Sequence, residues 1–230
     1  MSKPNLQRDG GSNANRMALL IGTVIAAVLI ALALFTRHGN GNTQAQTFDL
    51  TGRPVLGRAD APVTMIVFED YKCPVCKGFD EEDLPTLKSK YIDTGKVKMV
   101  AMAYPFLAQN FGLSDDDSTR ASVAAKCMAR QGTEKFWAYH HALFRGQQDE
   151  KTVWATEEAL QDLAGTIDGV DTAAFNTCLK DQATLKEVND DKAQGDKAGV
   201  NGTPSVYVNG RYIANFHADA LGQAIEDAQK

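Results

Sequence analysis

Residues 63–79, VTMIVFEDYKCPVCKGF, decide how the rest of the chain is read. The opening VTMIVF, residues 63–68, is a short apolar run rich in β-branched side chains, set between Pro62 and charged residues, and predicts a strand buried on both faces. The cysteine motif Cys73-Pro74-Val75-Cys76 falls where that strand gives way to a helix. Phe79, Leu84, Leu87 and Tyr91 recur at helical spacings over residues 74–92, with Pro85 as a kink because it brings no amide hydrogen to the ladder. A second strand, VKMVAMA at 97–103, closes on Tyr104-Pro105 and completes a βαβ unit.

The position of the cysteines matters more than their spacing. The first amides of a helix lack intrahelical partners and the macrodipole is positive there, so a thiolate on Cys73 is favoured over its thiol. Pro74 suits the first helical position, where its missing donor would have been unpaired anyway. Cys73 is therefore the expected nucleophile, with an exposed sulfur beside Lys72 and Lys77. Cys76, one turn further on the same side and more shielded, is the thiol that resolves a mixed disulfide. A zinc half-site is a poorer reading, since His38, His140, His141 and His217 supply no second pair at finger spacing. A purely structural Cys73–Cys76 bridge would close too short a loop to stabilise much.

Outward from this motif the chain turns helical. Ser114 with Asp115 to Asp117 reads as an acid-rich helix start running to about Arg130 and stopping at Gly132, and Thr133 opens a helix with Phe136, Trp137, His140 and Phe144. Thr156 and Asp171 start two more, and residues 183–197 make a last one. Two short strands, 205–208 and 211–214, then flank Asn209-Gly210, the dipeptide suited to a type I′ hairpin, before a final helix at 218–229. His140 and His141 lie in an aromatic helix and read as structural, and the Asp115 to Asp117 run has no calcium-loop spacing.

Composition bounds the rest. The 230 residues are 43% hydrophobic and 23% charged, which excludes a disordered chain, and no period of 20–50 residues marks a repeat protein. Residues 1–47 hold four Lys or Arg and one Asp, leaving 20 basic and 28 acidic residues beyond, a balance that argues against a nucleic-acid partner. Residues 17–35, MALLIGTVIAAVLIALALF, carry no charge and as a helix would span about 28 Å, enough to cross a bilayer core. Lys3, Arg8 and Arg16 place residues 1–16 in the cytoplasm and the body outside. A signal peptide cleaved near Ala31-Leu32-Ala33, releasing a secreted protein, is the alternative. Residues 36–47 read as a flexible linker reaching at most about 40 Å.

Together VFEDYKCPVCKGF, FWAYHHALF and GVNGTPSVYVNG resemble the DsbA-like branch of the thioredoxin superfamily in its membrane-tethered form, in matching order over residues 54–230. The resemblance implies an α/β, thioredoxin-like fold over residues 48–230 with a helical domain inserted at about 107–198. It implies a cis bond before Pro204, with Thr203 touching the active thiol and the substrate backbone. Where thioredoxin-like proteins often bury an acid, six residues before the first cysteine, this chain has Val67; Glu69 and Asp70 are the nearest carboxylates. Pro-Val replaces the Pro-His of the strongest oxidants, which implies a couple less extreme than theirs. Cys127 and Cys178 lie on apolar helical stripes and admit two readings, buried thiols or a bridge; export and the resemblance favour the bridge.

The expected function is disulfide introduction into exported cysteine-containing proteins on the extracytoplasmic (periplasmic or extracellular) side of the cell membrane. The resemblance implies re-oxidation by a quinone-linked thiol oxidase in the membrane, with no metal and no separate cofactor. The rival readings are a reductase or isomerase fed by a membrane electron donor, and an exported chaperone or adaptor without turnover.

Overall fold

A computed structural model describes residues 45–230. The cytoplasmic terminus expected at 1–16, the membrane segment at 17–35 and the linker as far as residue 44 lie outside the described residues. Among the described residues, no helix is long and apolar enough to cross a membrane.

The centre is a mixed sheet in the order β2-β1-β3-β4, with β1 at Val63–Glu69, β2 at Val97–Ala103, β3 at Ser205–Val208 and β4 at Arg211–Ile213. β1 runs parallel to β2, with Val63 opposite Val97 and Glu69 opposite Ala103, and antiparallel to β3, with Met65 opposite Val208. Alternation along β1 divides the core in two: Val63, Met65 and Val67 pack on one face with Leu87, Val206 and Ile225, whereas Ile66 and Phe68 pack on the other with Val100, Met102 and Tyr207. Both faces are covered, which explains why β1 shows no polar alternation in its first six residues. Asn209 and Gly210 join β3 to β4 with φ of 46° and 78°, the left-handed pair that a type I′ turn requires.

The stretch between β1 and β2 keeps a helical course, though not a uniform one. It runs through α1 (Pro74–Gly78), a π-helical turn (Phe79–Asp83), α2 (Leu84–Leu87) and a second π-helical turn (Lys88–Ile92). The first wide turn ends just before Pro85, where the Leu84 amide reaches back to the Phe79 carbonyl. A residue without an amide hydrogen is accommodated there by a local change of helical pitch.

Between β2 and β3 the chain is helical: α3 (Leu107–Asn110), α4 (Asp117–Ala129), α5 (Thr133–Arg145), α6 (Glu157–Gly165), α7 (Thr172–Cys178) and α8 (Gln182–Ala198). α9 (Ala218–Ala228) ends the chain. Side-chain caps set several starts, with Asp116 accepting from the Thr119 amide, Thr156 from Ala159, Asp171 from Ala174 and Asp181 from Ala183. The acidic run before α4 is thus split by role: Asp116 caps the helix, and Asp117 is fully buried rather than solvated as part of a charged helix start. Sulfurs of Cys127 on α4 and Cys178 on α7 are joined in a disulfide with Cα atoms 5.6 Å apart. α8 comes close to the sheet at Gly195, where a Cβ would sit 2.7 Å from the Tyr104 ring and 3.2 Å from that of Phe68.

Candidate active site

One carboxylate organises the end of β1. Asp70 Oδ1 accepts the Lys72 amide at 2.9 Å, while its Oδ2 accepts the amides of Phe106 and Leu107, both at 2.9 Å, and the Ser118 hydroxyl at 3.1 Å. The Cys73 amide then closes the turn by donating to the Asp70 carbonyl at 2.8 Å. These bonds present Cys73 as the N-cap of α1 with Pro74 at the first helical position, as a helix start of this kind favours. Gln147 Nε2 fixes the same turn from the far side, donating to the carbonyls of Tyr71 at 2.6 Å and Cys73 at 3.1 Å.

The two thiols of the motif are free and unlike each other. Hydrogen bonding from the Cys76 thiol lowers the Cys73 pKa most; burial opposes it, and the Thr203 side chain and the Cys76 and Val75 amides add to the lowering, to about 6. Cys76 is driven well above the usual thiol range, first by complete burial and then by the neighbouring Cys73 sulfur. Access is narrower than an exposed nucleophile implies: Cys73 is only 6% exposed and Cys76 is 0% exposed. The cover over Cys73 comes from residues 130 positions away. Thr203 carbonyl oxygen accepts from Cys73 Sγ at 3.3 Å, and the Thr203-Pro204 bond is cis. Thr203 Oγ1 is buried without a partner, free to turn toward a thiolate. Val75, between the cysteines, displays an apolar side chain at 47% exposure.

Lys72 does not act as the surface cation expected beside the thiol. It is fully buried, and its Nζ donates to Asp117 Oδ2 at 2.9 Å and to the Thr152 carbonyl at 2.6 Å. The same Asp117 oxygen accepts the Trp154 and Ala155 amides at 2.9 and 3.1 Å. The pair ties the residue preceding Cys73 to α4 and to the segment before α6.

Behind the cysteines lies a group of side chains that local sequence reading passes over. Glu69 is 3% exposed, and neither of its carboxylate oxygens has a hydrogen-bond partner. Burial raises its pKa well above the usual carboxylate range, and the charges of Asp80 and Cys73 raise it further. His140, fully buried, shares a 2.9 Å hydrogen bond with the Tyr71 hydroxyl through Nδ1. His141 Nδ1 lies 2.7 Å from Asp80 Oδ1. Although burial works against it, Asp80 is held well below the usual carboxylate range by the imidazoles of His140, 3.5 Å away, and His141, 2.7 Å away. So the chain does bury an acid near the pair, at Glu69 rather than at Val67. Strand parity carried the signal, because residue 69 shares a face with Met65 and Val67.

The expected site residues therefore meet in part. Cys73, Cys76, Pro74, Val75, Thr203 and Pro204 form one locus, whereas Cys127 and Cys178 join helices of the intervening block. A family model described as Thioredoxin matches residues 49–227. Disulfide bond formation protein D of Bacillus subtilis is 32% identical over 196 residues, covering 85% of this chain and 85% of that protein. The crystal structure of oxidised BdbD from Bacillus subtilis superposes with a TM-score of 0.73 at 30% identity, covering 82% of this chain and 98% of that one. Chlamydia trachomatis DsbA shares the fold, with a TM-score of 0.69 at 22% identity over 83% of this chain and 97% of its own.

Proposed function

Since the chain belongs to the DsbA-like branch of the thioredoxin family and is a protein thiol-disulfide oxidoreductase, we propose that it works as an oxidase of exported proteins through Cys73 and Cys76. The observation that carries this direction is the opposed ionisation of the pair: Cys73 ionises at about 6, whereas Cys76 is held as a thiol. A stabilised Cys73 thiolate favours the reduced enzyme and so makes its disulfide a better electron acceptor.

In the forward step a substrate thiolate attacks Cys73 Sγ and breaks the Cys73–Cys76 bond. Cys76 departs and takes up a proton, because burial disfavours its thiolate. The substrate's second thiolate then attacks its own sulfur in the mixed disulfide and expels Cys73 as a thiolate. Two electrons have passed from substrate to enzyme, and the substrate leaves with a new disulfide. Thr203 and Pro204 guide the substrate backbone along the covered side of Cys73, and Val75 offers it an apolar contact. Residues 17–35 hold the domain outside the cytoplasmic membrane, where a quinone-linked thiol oxidase restores the disulfide.

Two measurements test this. Thiols trapped in intact cells by an alkylating mass tag are expected to show Cys73 and Cys76 oxidised at steady state; a mainly reduced pair would overturn the oxidase direction in favour of a reductase. With a reduced client protein, Cys76→Ser is expected to accumulate mixed disulfides through Cys73, and Cys73→Ser to form none. Turnover that survives Cys73→Ser would remove the assignment altogether.

A further inference from the structure

Glu69 and Asp80 are both buried, and among the described residues neither contacts a lysine or an arginine. Their charged neighbours are imidazoles. His140 Nε2 points between them, 3.7 Å from Glu69 Oε2 and 3.5 Å from Asp80 Oδ1, and makes no hydrogen bond. Those separations are long for hydrogen bonds. They are close to the roughly 3.4 Å between neighbouring ligand atoms around a tetrahedral ion with bonds near 2.0–2.2 Å. We propose that Asp80, His140 and His141, whose ligand atoms all lie within 4.8 Å of one another, form a binding site for one divalent transition-metal ion of the zinc class, with Glu69 beside it at 3.7 Å from His140.

Several features fit such an ion. The Asp80 carboxylate, with the Glu69 side chain close by, would supply negative charge to offset that of the ion within a region of low dielectric. Two imidazoles and one carboxylate oxygen, with the fourth position left to water, suit zinc and its neighbours rather than calcium or magnesium. The Tyr71 hydroxyl at 2.9 Å from His140 Nδ1 is the outer partner that a ligating histidine usually has, and it leaves Nε2 to face the ion. His141 forms the entrance, with its side chain 29% exposed. One adjustment is needed, since the 2.7 Å separation of His141 Nδ1 and Asp80 Oδ1 must open by about 0.7 Å to admit a shared ion. The exposed edge of His141 can supply that movement.

The purified full chain in its oxidised state, with all four cysteines in disulfides, excludes competition from thiolates. Titration with cobalt(II) as the probe is expected to give the visible bands of a four-coordinate ion at one equivalent, without thiolate charge transfer, and zinc should displace it. His141→Gln and Glu69→Gln are expected to weaken cobalt binding at least tenfold, and Tyr71→Phe about tenfold. His217→Gln, which removes an exposed histidine 3.1 Å from Asp83, serves as the control and should leave binding unchanged. Absence of four-coordinate bands would overturn the proposal, as would bands that His141→Gln leaves undiminished. Should Glu69→Gln fail to fold, the partly exposed His141 variant decides alone, with circular dichroism matched to the parent.

Discussion

A Cys73 thiol that ionises at about 6 leaves a signature in the way the reduction potential follows pH. Below that value, reducing the disulfide consumes two protons with two electrons, and the potential should fall by about 59 mV per pH unit. Above it, Cys73 stays ionised and only Cys76 takes a proton, so the slope should halve to about 30 mV per unit. Cys76 is pushed far enough upward that no second break belongs in the neutral range. At pH 7, ionisation at about 6 in place of 9.0 favours the reduced form roughly tenfold, about 1.4 kcal/mol or 30 mV. The sign for folding agrees: a depressed acid stabilises the reduced fold above the ordinary thiol pKa, and that stability drains away as pH falls from there through about 6. The assay is equilibration with glutathione across the pH range, paired with thiolate absorbance of the reduced protein and of its Cys76→Ala variant. That variant should ionise at higher pH, since it lacks the side-chain hydrogen bond that is the largest lowering influence on Cys73. A single slope of about 59 mV running through neutrality would refute the reasoning.

Other outcomes follow from packing. Replacing Cys127 and Cys178 by alanine should cost about 4 kcal/mol in the chain-entropy account of a 51-residue separation, read as a lower urea midpoint; a loss under about 1 kcal/mol would show that the α4–α7 link contributes little. Lys72→Met strands Asp117 in a buried site and should cost about 3–5 kcal/mol by urea unfolding, with Lys72→Met/Asp117→Leu recovering part of it. A near-neutral Lys72→Met would mean that the backbone amides of Trp154 and Ala155 satisfy Asp117 on their own.

The elements were legible where their causes are local. β1 announces itself through its apolar run, the β3–β4 hairpin through Asn209-Gly210, and α6 and α7 through the caps at Thr156 and Asp171. The first helix was legible in extent but not in form, since a π-helical turn depends on how Pro85 is accommodated by the turn before it. At the site, the N-cap position of Cys73 could be read from the motif. Contact with Thr203 could be reached only through likeness to a family, because nothing near Cys73 in sequence names a residue 130 positions on. Lys72 and Asp117 looked like solvated charges because each sits among polar neighbours along the chain, and only tertiary packing pairs them. His140 shows the reverse: its aromatic surroundings were legible and describe its packing, yet Glu69 and Asp80 come from separate segments.

The Asp70 carboxylate has a consequence for how the protein tolerates change. Its four donors are three main-chain amides and one small hydroxyl, so it registers the path of the chain more than the identity of the side chains along it. Residues 106 and 107 can therefore be exchanged for others that keep an amide hydrogen without removing the donors at this junction, while inserting or deleting a single residue between 107 and 118 would pull on the turn that carries the reactive sulfur. Variation by substitution is open to this segment, and variation in its length is closed.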